Sequence, residues 1–126
     1  MSVEPTTTSP AEPAGGGVLA AISNEMVRLH KDHLGRGPTK ARTYFAGPDT
    51  IICILEDSLT PVERSLIEMG EYSRVREIRL LFQYTAEQSF IECVERATGR
   101  SVRAFISGID ARTDVSSEVF VLEPER

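Results

Sequence analysis

The sequence has no tryptophan and only two cysteines, and aromatic residues fill just 6% of its 126 positions. Cys53 and Cys93 each sit inside an apolar run and not at metal-ligand spacing. Two buried, reduced thiols are therefore expected, with a disulfide or redox pair as the weaker reading. No stretch approaches the ~20 apolar residues that a membrane-spanning helix needs. The basic start and apolar run of a signal peptide are also missing. A soluble, cytoplasmic protein without membrane insertion is the expectation. Positive charge is in deficit: 14 Lys and Arg against 19 Asp and Glu leave a net charge of -5. That balance argues against a protein dedicated to gripping phosphates, and no DNA partner is expected. There is no internal repeat and no P-loop, because the Walker spacing and its Lys-Ser/Thr pair are absent.

What is present fits one domain behind a tail. Residues 1–17 (MSVEPTTTSPAEPAGGG) hold almost no large apolar side chain and cannot offset their ordering entropy, so they read as a disordered tail. Residues 18–124 read as a single folded unit. A first helix is expected from Val18 to Leu34, with Leu19, Ile22, Met26, Leu29 and His33 on one face. Gly35 and Gly37-Pro38 stop it. Residues 40–46 and 50–56 then read as a hairpin around Gly47-Pro48-Asp49, the second run being apolar enough for a central strand. Thr60-Pro61-Val62-Glu63 carries both a capping box and a first-turn proline, so a short second helix should start there. A third helix should run from Ser73 to Ala97, ended by Gly99. Residues 101–107 and 117–122 read as a second hairpin joined by a loop over 108–115.

The order α-β-β-α-α-β-β predicts an α+β two-layer sandwich, with a four-stranded, mainly antiparallel sheet and helices on one face. The third helix carries a main stripe of Val75, Ile78, Phe82, Ala86, Ser89, Cys93 and Ala97. Leu80, Tyr84 and Ile91 lie roughly 120–180° around the wheel. A two-layer fold has no sheet on that side, so either the second helix or a partner subunit, a homodimer included, has to cover them.

Few residues point to chemistry. His30 and His33 are three apart on the first helix, but no further ligand accompanies them, and a hydrogen-bonded, partly buried pair is favoured over a metal site. Arg36, Gly37, Pro38, Lys40 and Arg42 form a basic, glycine-bracketed loop where an anion or an acidic partner could approach; a solvated surface is the plainer reading. Ser107-Gly108-Ile109-Asp110 reads as a β-turn, with no base for a nucleophilic serine. Glu87, Glu92 and Glu95 read as the solvated side of the third helix. No catalytic residue, metal site or cofactor is expected.

Five segments carry a family resemblance: RLHKDHLGRGPTKARTYFA (28–46), LEDSLTPVERSLIEMG (55–70), VREIRLLFQ (75–83), ATGRSVRAFISG (97–108) and EVFVLEP (118–124). They resemble the bacterial domain family called component C (MpsC) of the Na+-translocating, membrane-potential-generating system. The resemblance implies a small soluble accessory protein, linked through its partners to ion movement and inorganic-carbon uptake, possessing no established catalytic residues. Its matching positions are Arg36, Gly37, Pro38 and Arg42, then Leu59, Thr60, Pro61 and Glu63. Since the helix cap explains the latter four, a functional role falls to the former. The expected function is thus a non-enzymatic accessory domain that binds a protein partner. The alternative is an anion-, phosphate-ligand- or RNA-binding module built on the GRGP loop; the element order is faintly like KH-type RNA-binding domains, but their GxxG is missing.

Overall fold

The computed structural model describes residues 14–125, with side chains described from residue 17 onward. Three helices and four strands follow in the expected order: α1 (Ala14–Leu34), β1 (Lys40–Phe45), β2 (Thr50–Glu56), α2 (Pro61–Glu68), α3 (Tyr72–Thr98), β3 (Val102–Asp110) and β4 (Val115–Leu122). Helix α1 begins at Ala14, four residues ahead of the expected start, so the Gly15–Gly17 run is helical. Elongating an existing helix is cheap beside nucleating one, which lets α1 absorb glycines costing about 1 kcal/mol each. The rest of the segment read as a tail lies outside the described residues.

The strands form one antiparallel sheet in the order β1-β2-β4-β3. Two sequential hairpins are thus joined through β2 and β4, leaving β1 and β3 as the edges. Helix α1 lies against β1 and α3 against β3, and the two helices pack on each other. Ile51, Cys53 and Leu55 of β2 and Phe120 and Leu122 of β4 reach the helices, where they meet Ile22 and Met26 of α1 and Phe82, Ala86 and Phe90 of α3. A smaller cluster of Leu59, Val75 and Ala111 sits at the other end, with Leu66 and Ile67 of α2 packed on it.

The second hairpin is longer than expected. Gly108 pairs with Ser117 and Ile109 with Ser116, so the Ser107–Asp110 segment read as a turn is strand, and the loop shrinks to Ala111–Asp114. The turn chemistry sits one step later: the Asp110 carboxylate accepts from the Arg112 and Thr113 amides at 3.1 and 3.2 Å. A bulge between Val102 and Ala104 also resets the alternation of β3. Val102 and Phe105 therefore both pack on the core, while Ile106 points away and is 60% exposed.

Helix α3 buries a face rotated from the expected one. Val75, Phe82, Ala86 and Cys93 are inside as anticipated, but Arg79, Phe90 and Val94 join them. Ile78 is exposed and Ser89 only half-buried. The rotated face places Arg79 on the buried Glu63 of α2. On α1, similarly, His33, expected on the apolar face, is exposed, and His30 is the buried one.

Candidate functional site

The GRGP loop is built as a clamp. Gly35 takes a left-handed conformation (φ +79°) to end α1, and its amide bonds back to the Lys31 carbonyl at 2.8 Å. Gly37 passes so close to α1 that a Cβ there would lie 2.8 Å from the Val27 carbonyl oxygen. Pro38 is buried. Arg36 donates to the Asp57 backbone carbonyl at 2.8 Å and to its carboxylate at 3.0 Å, while Thr39 donates to the other carboxylate oxygen at 2.9 Å. Arg42 pairs with Glu56 at 2.6 Å. Both arginines of the loop are thus already committed to carboxylates. Lys40 makes no ion pair among the described residues, and the shallow pocket beside it is lined by Glu56, Asp57 and Asp114. The structure brings the five loop residues together, but the charge they present is largely neutralised.

The same network ties the loop to the start of α2. Arg64 bridges Asp57 and Asp114. Asp114 in turn accepts from the Ser58 and Leu59 amides at 2.9 and 3.2 Å. Asp57 and Asp114 both have positive φ, 62° and 57°, a conformation that short polar side chains tolerate. The Thr39 hydrogen bond foremost, then Arg36 and Arg64, hold the Asp57 carboxyl below its ordinary range. The capping box forms as expected: Thr60 Oγ1 accepts from the Glu63 amide at 3.2 Å, and Glu63 Oε1 accepts from the Thr60 amide at 2.8 Å. The Glu63 carboxylate also receives a two-pronged Arg79 guanidinium, both contacts at 2.8 Å, deep in the protein. Burial alone would push the Glu63 carboxyl up; Arg79 and the Thr60 hydrogen bonds together outweigh it and leave it below the ordinary value.

A second polar feature crosses the helix-facing side of the sheet. Thr43, Cys53, Glu118 and Ser107 are register partners on β1, β2, β4 and β3, forming a row one residue wide. Ser23 of α1 hydrogen-bonds Thr43 at 2.6 Å. Burial pushes the Cys53 and Cys93 thiols up to about 12, so both are neutral. Above the row sits His30, stacked on Phe90 and edge-on to Phe82. Its Nδ1 lies 2.7 Å from the Met26 carbonyl, which can only accept, so Nδ1 carries the proton and Nε2 a lone pair. That lone pair faces Glu118 Oε2 at 4.0 Å. Burial lowers the imidazole to about 4 and raises the Glu118 carboxyl to about 8, which makes both neutral near pH 7. Glu118 Oε1 and the Ser107 hydroxyl have no hydrogen-bond partner among the described residues. The exposed His33 bonds only its own turn, through the Leu29 carbonyl at 3.0 Å. The two histidines therefore do not form a pair.

Two surfaces remain open. The first lies between α3 and the free edge of β3. A groove of about 210 Å³ runs past Arg76, Leu80, Gln83 and Ser107–Ile109. It continues toward Tyr84, Glu87 and Phe105. Leu80 and Tyr84 are 54% and 72% exposed, so α2 leaves them uncovered, and Leu81 beside them is 69% exposed. Ile91 is half-buried and lines neither part of this groove. Glu95 is more than a solvated acid, because its Oε2 accepts from the Val102 amide at 2.9 Å at the α3–β3 turn.

The second surface is the sheet face that points away from the helices. Register places Tyr44, Ile52, Val119 and Ile106 side by side across all four strands. Ile54 and Val121 flank this row, and no helix among the described residues packs on it. Reading β2 as a central strand identified its apolar character; a central strand of a two-layer sheet is still bare on one side. The alternation around Phe120 and Leu122 likewise carries the signal that Glu118 faces inward. Arg79 and Asp114 left no comparable signal.

Among the described residues, no cluster of three or more His, Cys, Asp or Glu is placed to hold a metal, and no helix is long and apolar enough to cross a membrane. The fold and these features define a two-layer α+β domain whose developed parts are a buried polar framework and two apolar surfaces. Residues 16–124 match the family described as "Na+-translocating membrane potential-generating system (MpsC)", and the chain belongs to that family. It is also 27% identical over 108 residues to the uncharacterized protein YbcI of Bacillus subtilis (strain 168), covering 85% of this chain and 86% of that protein. No solved structure matches it.

Proposed function

We propose that this chain is a non-enzymatic accessory component of a Na+-translocating, membrane-potential-generating system, acting from the cytoplasmic side by protein–protein contact. The observation that carries the reading is the uncovered apolar row Tyr44–Ile52–Val119–Ile106 on the back of the sheet. Contiguous apolar surface of this kind on a small domain marks a contact site. Family membership supplies the system to which the partner belongs. The polar groups support the same view: the arginines and acids of the GRGP network are consumed in holding the loop, and Glu118 and His30 are sealed inside. The occupant of the face is therefore a protein component of that ion-translocating system, presenting an apolar surface of its own.

The test is affinity capture from the native host with a tagged chain, after mild detergent extraction of membranes. Recovery of a membrane subunit of the ion-translocating system is expected, with a loss of at least about tenfold on Tyr44→Lys combined with Ile52→Thr. Absence of any membrane subunit, or undiminished capture by the double variant, would overturn the reading.

A further inference from the structure

We infer that the free edge of β3 and the adjoining face of α3 form a homodimer interface, in which two β3 strands pair antiparallel and join the two sheets into one of eight strands. The occupant is a second copy of this chain, and the inference does not rest on the membrane-system reading.

The two sheet edges are unequal. Edge strands in monomeric proteins are kept from pairing by charge, proline, shortness or a covering element. Strand β1 is six residues long and carries Lys40 and Arg42. Strand β3 is nine residues long, has neither lysine nor proline, and carries its single bulge at the Val102–Ala104 end. From Ala104 to Ile109 its outer edge is regular, and no strand among the described residues pairs with it. Exposed Leu80 and Tyr84 stand beside it on α3.

The charges around this edge complement themselves under a two-fold rotation. Helix α3 runs antiparallel to β3: Arg76 and Glu77 lie by Gly108 and Ile109, and Glu87 by Phe105. A two-fold axis through the middle of the β3 edge passes near Leu80 and Tyr84. It brings Arg76 of one copy toward Glu87 of the other, twice. Both residues are exposed, and neither belongs to an ion pair among the described residues. At the strand ends the same rotation sets Arg103 of one copy by Asp110 of the other. The Arg76–Glu87 and Arg103–Asp110 pairings, each made twice, give the self-complementary patch of an isologous contact, with Glu77 as the one like charge beside Arg76. A nine-residue strand is about 30 Å long, and the sheet and helix layers, each about 10 Å deep, together make the edge about 20 Å high, so it offers roughly 600 Å² per copy. That is the lower end of the size range for specific interfaces. Dimerisation along this edge would also merge the two open sheet faces into one surface.

Sedimentation velocity on the full chain, from about 1 to 200 μM, tests the contact. A concentration-dependent dimer is expected. Arg76→Glu and Glu87→Arg should each raise its dissociation constant at least about tenfold. Mixing the two variants sets opposite charges together at both positions and should restore the dimer as a heterodimer. Unchanged circular dichroism and unfolding midpoints for both exposed-site variants establish that they fold. A wild-type chain that stays monomeric overturns the inference. So does a dimer insensitive to both reversals, which would place the contact elsewhere, or a mixture that fails to reassociate. Partner capture through Tyr44 and Ile52 should survive Arg76→Glu, so the two proposals fail separately.

Discussion

Glu118 and His30 are each 1% exposed and face one another with neutral side chains, and their titration should write itself into stability. Burial lowers His30 from 6.5 to about 4, so between those values the unfolded chain binds the extra proton and stability rises with pH. Burial raises Glu118 from 4.5 to about 8, so its contribution is complete below pH 4.5 and is lost as pH climbs toward 8. The two slopes oppose each other up to about pH 6.5, and above it only Glu118 acts. Other charged or titratable groups near the pair are Arg79 on α3, His33 on α1 and Cys53 on β2. Denaturant titrations should show a plateau near pH 5–6 and then a fall on the order of 2 kcal/mol by pH 8. Glu118→Gln should abolish the fall and leave stability rising to pH 6.5 and flat beyond. A wild-type profile that stays level from pH 6.5 to 8 would show that Glu118 is already ionised. His30 could be singled out in the sequence but not placed, because one step around a helix decides whether a ring is sealed or exposed. Which residues flank that step depends on Phe82 and Phe90, more than fifty positions away.

Helix α2 shows how local and distant signals differ. Its start is written in four consecutive residues, and every bond of the capping box is present. Thr60→Ala should lower stability by about 1 kcal/mol, read from denaturant midpoints at constant m-value. What α2 packs against was not legible, because the partner of Glu63 lies sixteen residues on and Arg79 falls outside the apolar stripe read for the third helix. Arg79→Leu should cost about 3–5 kcal/mol by stranding the Glu63 carboxylate. Arg79→Leu with Glu63→Leu should recover a good part of that loss, since the buried charge goes with its partner; a double variant no better than the single one would assign the cost to packing. The GRGP loop divides the same way. Its glycines announce a break, and only the structure shows Gly37 pressed on Val27 and Arg36 and Arg42 already bound to Asp57 and Glu56. A loop rich in arginine reads as an anion site until its carboxylates, placed there by a strand fourteen or more residues away, are seen.

The arrangement of the four strands makes the bare sheet face a consequence of topology. Two hairpins joined through β2 and β4 form a sheet with three helices to cover it, and the core contacts of α1 and α3 all fall on one side. The helix-facing side supplies the stability: Ile51, Leu55, Phe120 and Leu122 are fully buried there. The opposite row is exposed at its two ends, Tyr44 and Ile106, and half-buried at Ile52 and Val119, so it adds less to folding than the helix-facing side, since burial contributes in proportion to the area removed from water. Apolar side chains that folding does not need are then best explained by what they touch. This separation is measurable in the isolated protein. Tyr44→Lys with Ile52→Thr should move the thermal midpoint by no more than about 5 °C, because neither position reaches the core. The native wild-type chain should bind an apolar fluorescent dye such as ANS, and the double variant should lose most of that signal. A large fall in the midpoint would mean that the outer row is part of what holds the sheet together. Unaltered dye binding would mean that the exposed apolar surface lies on α3 instead, at Leu80, Leu81 and Tyr84.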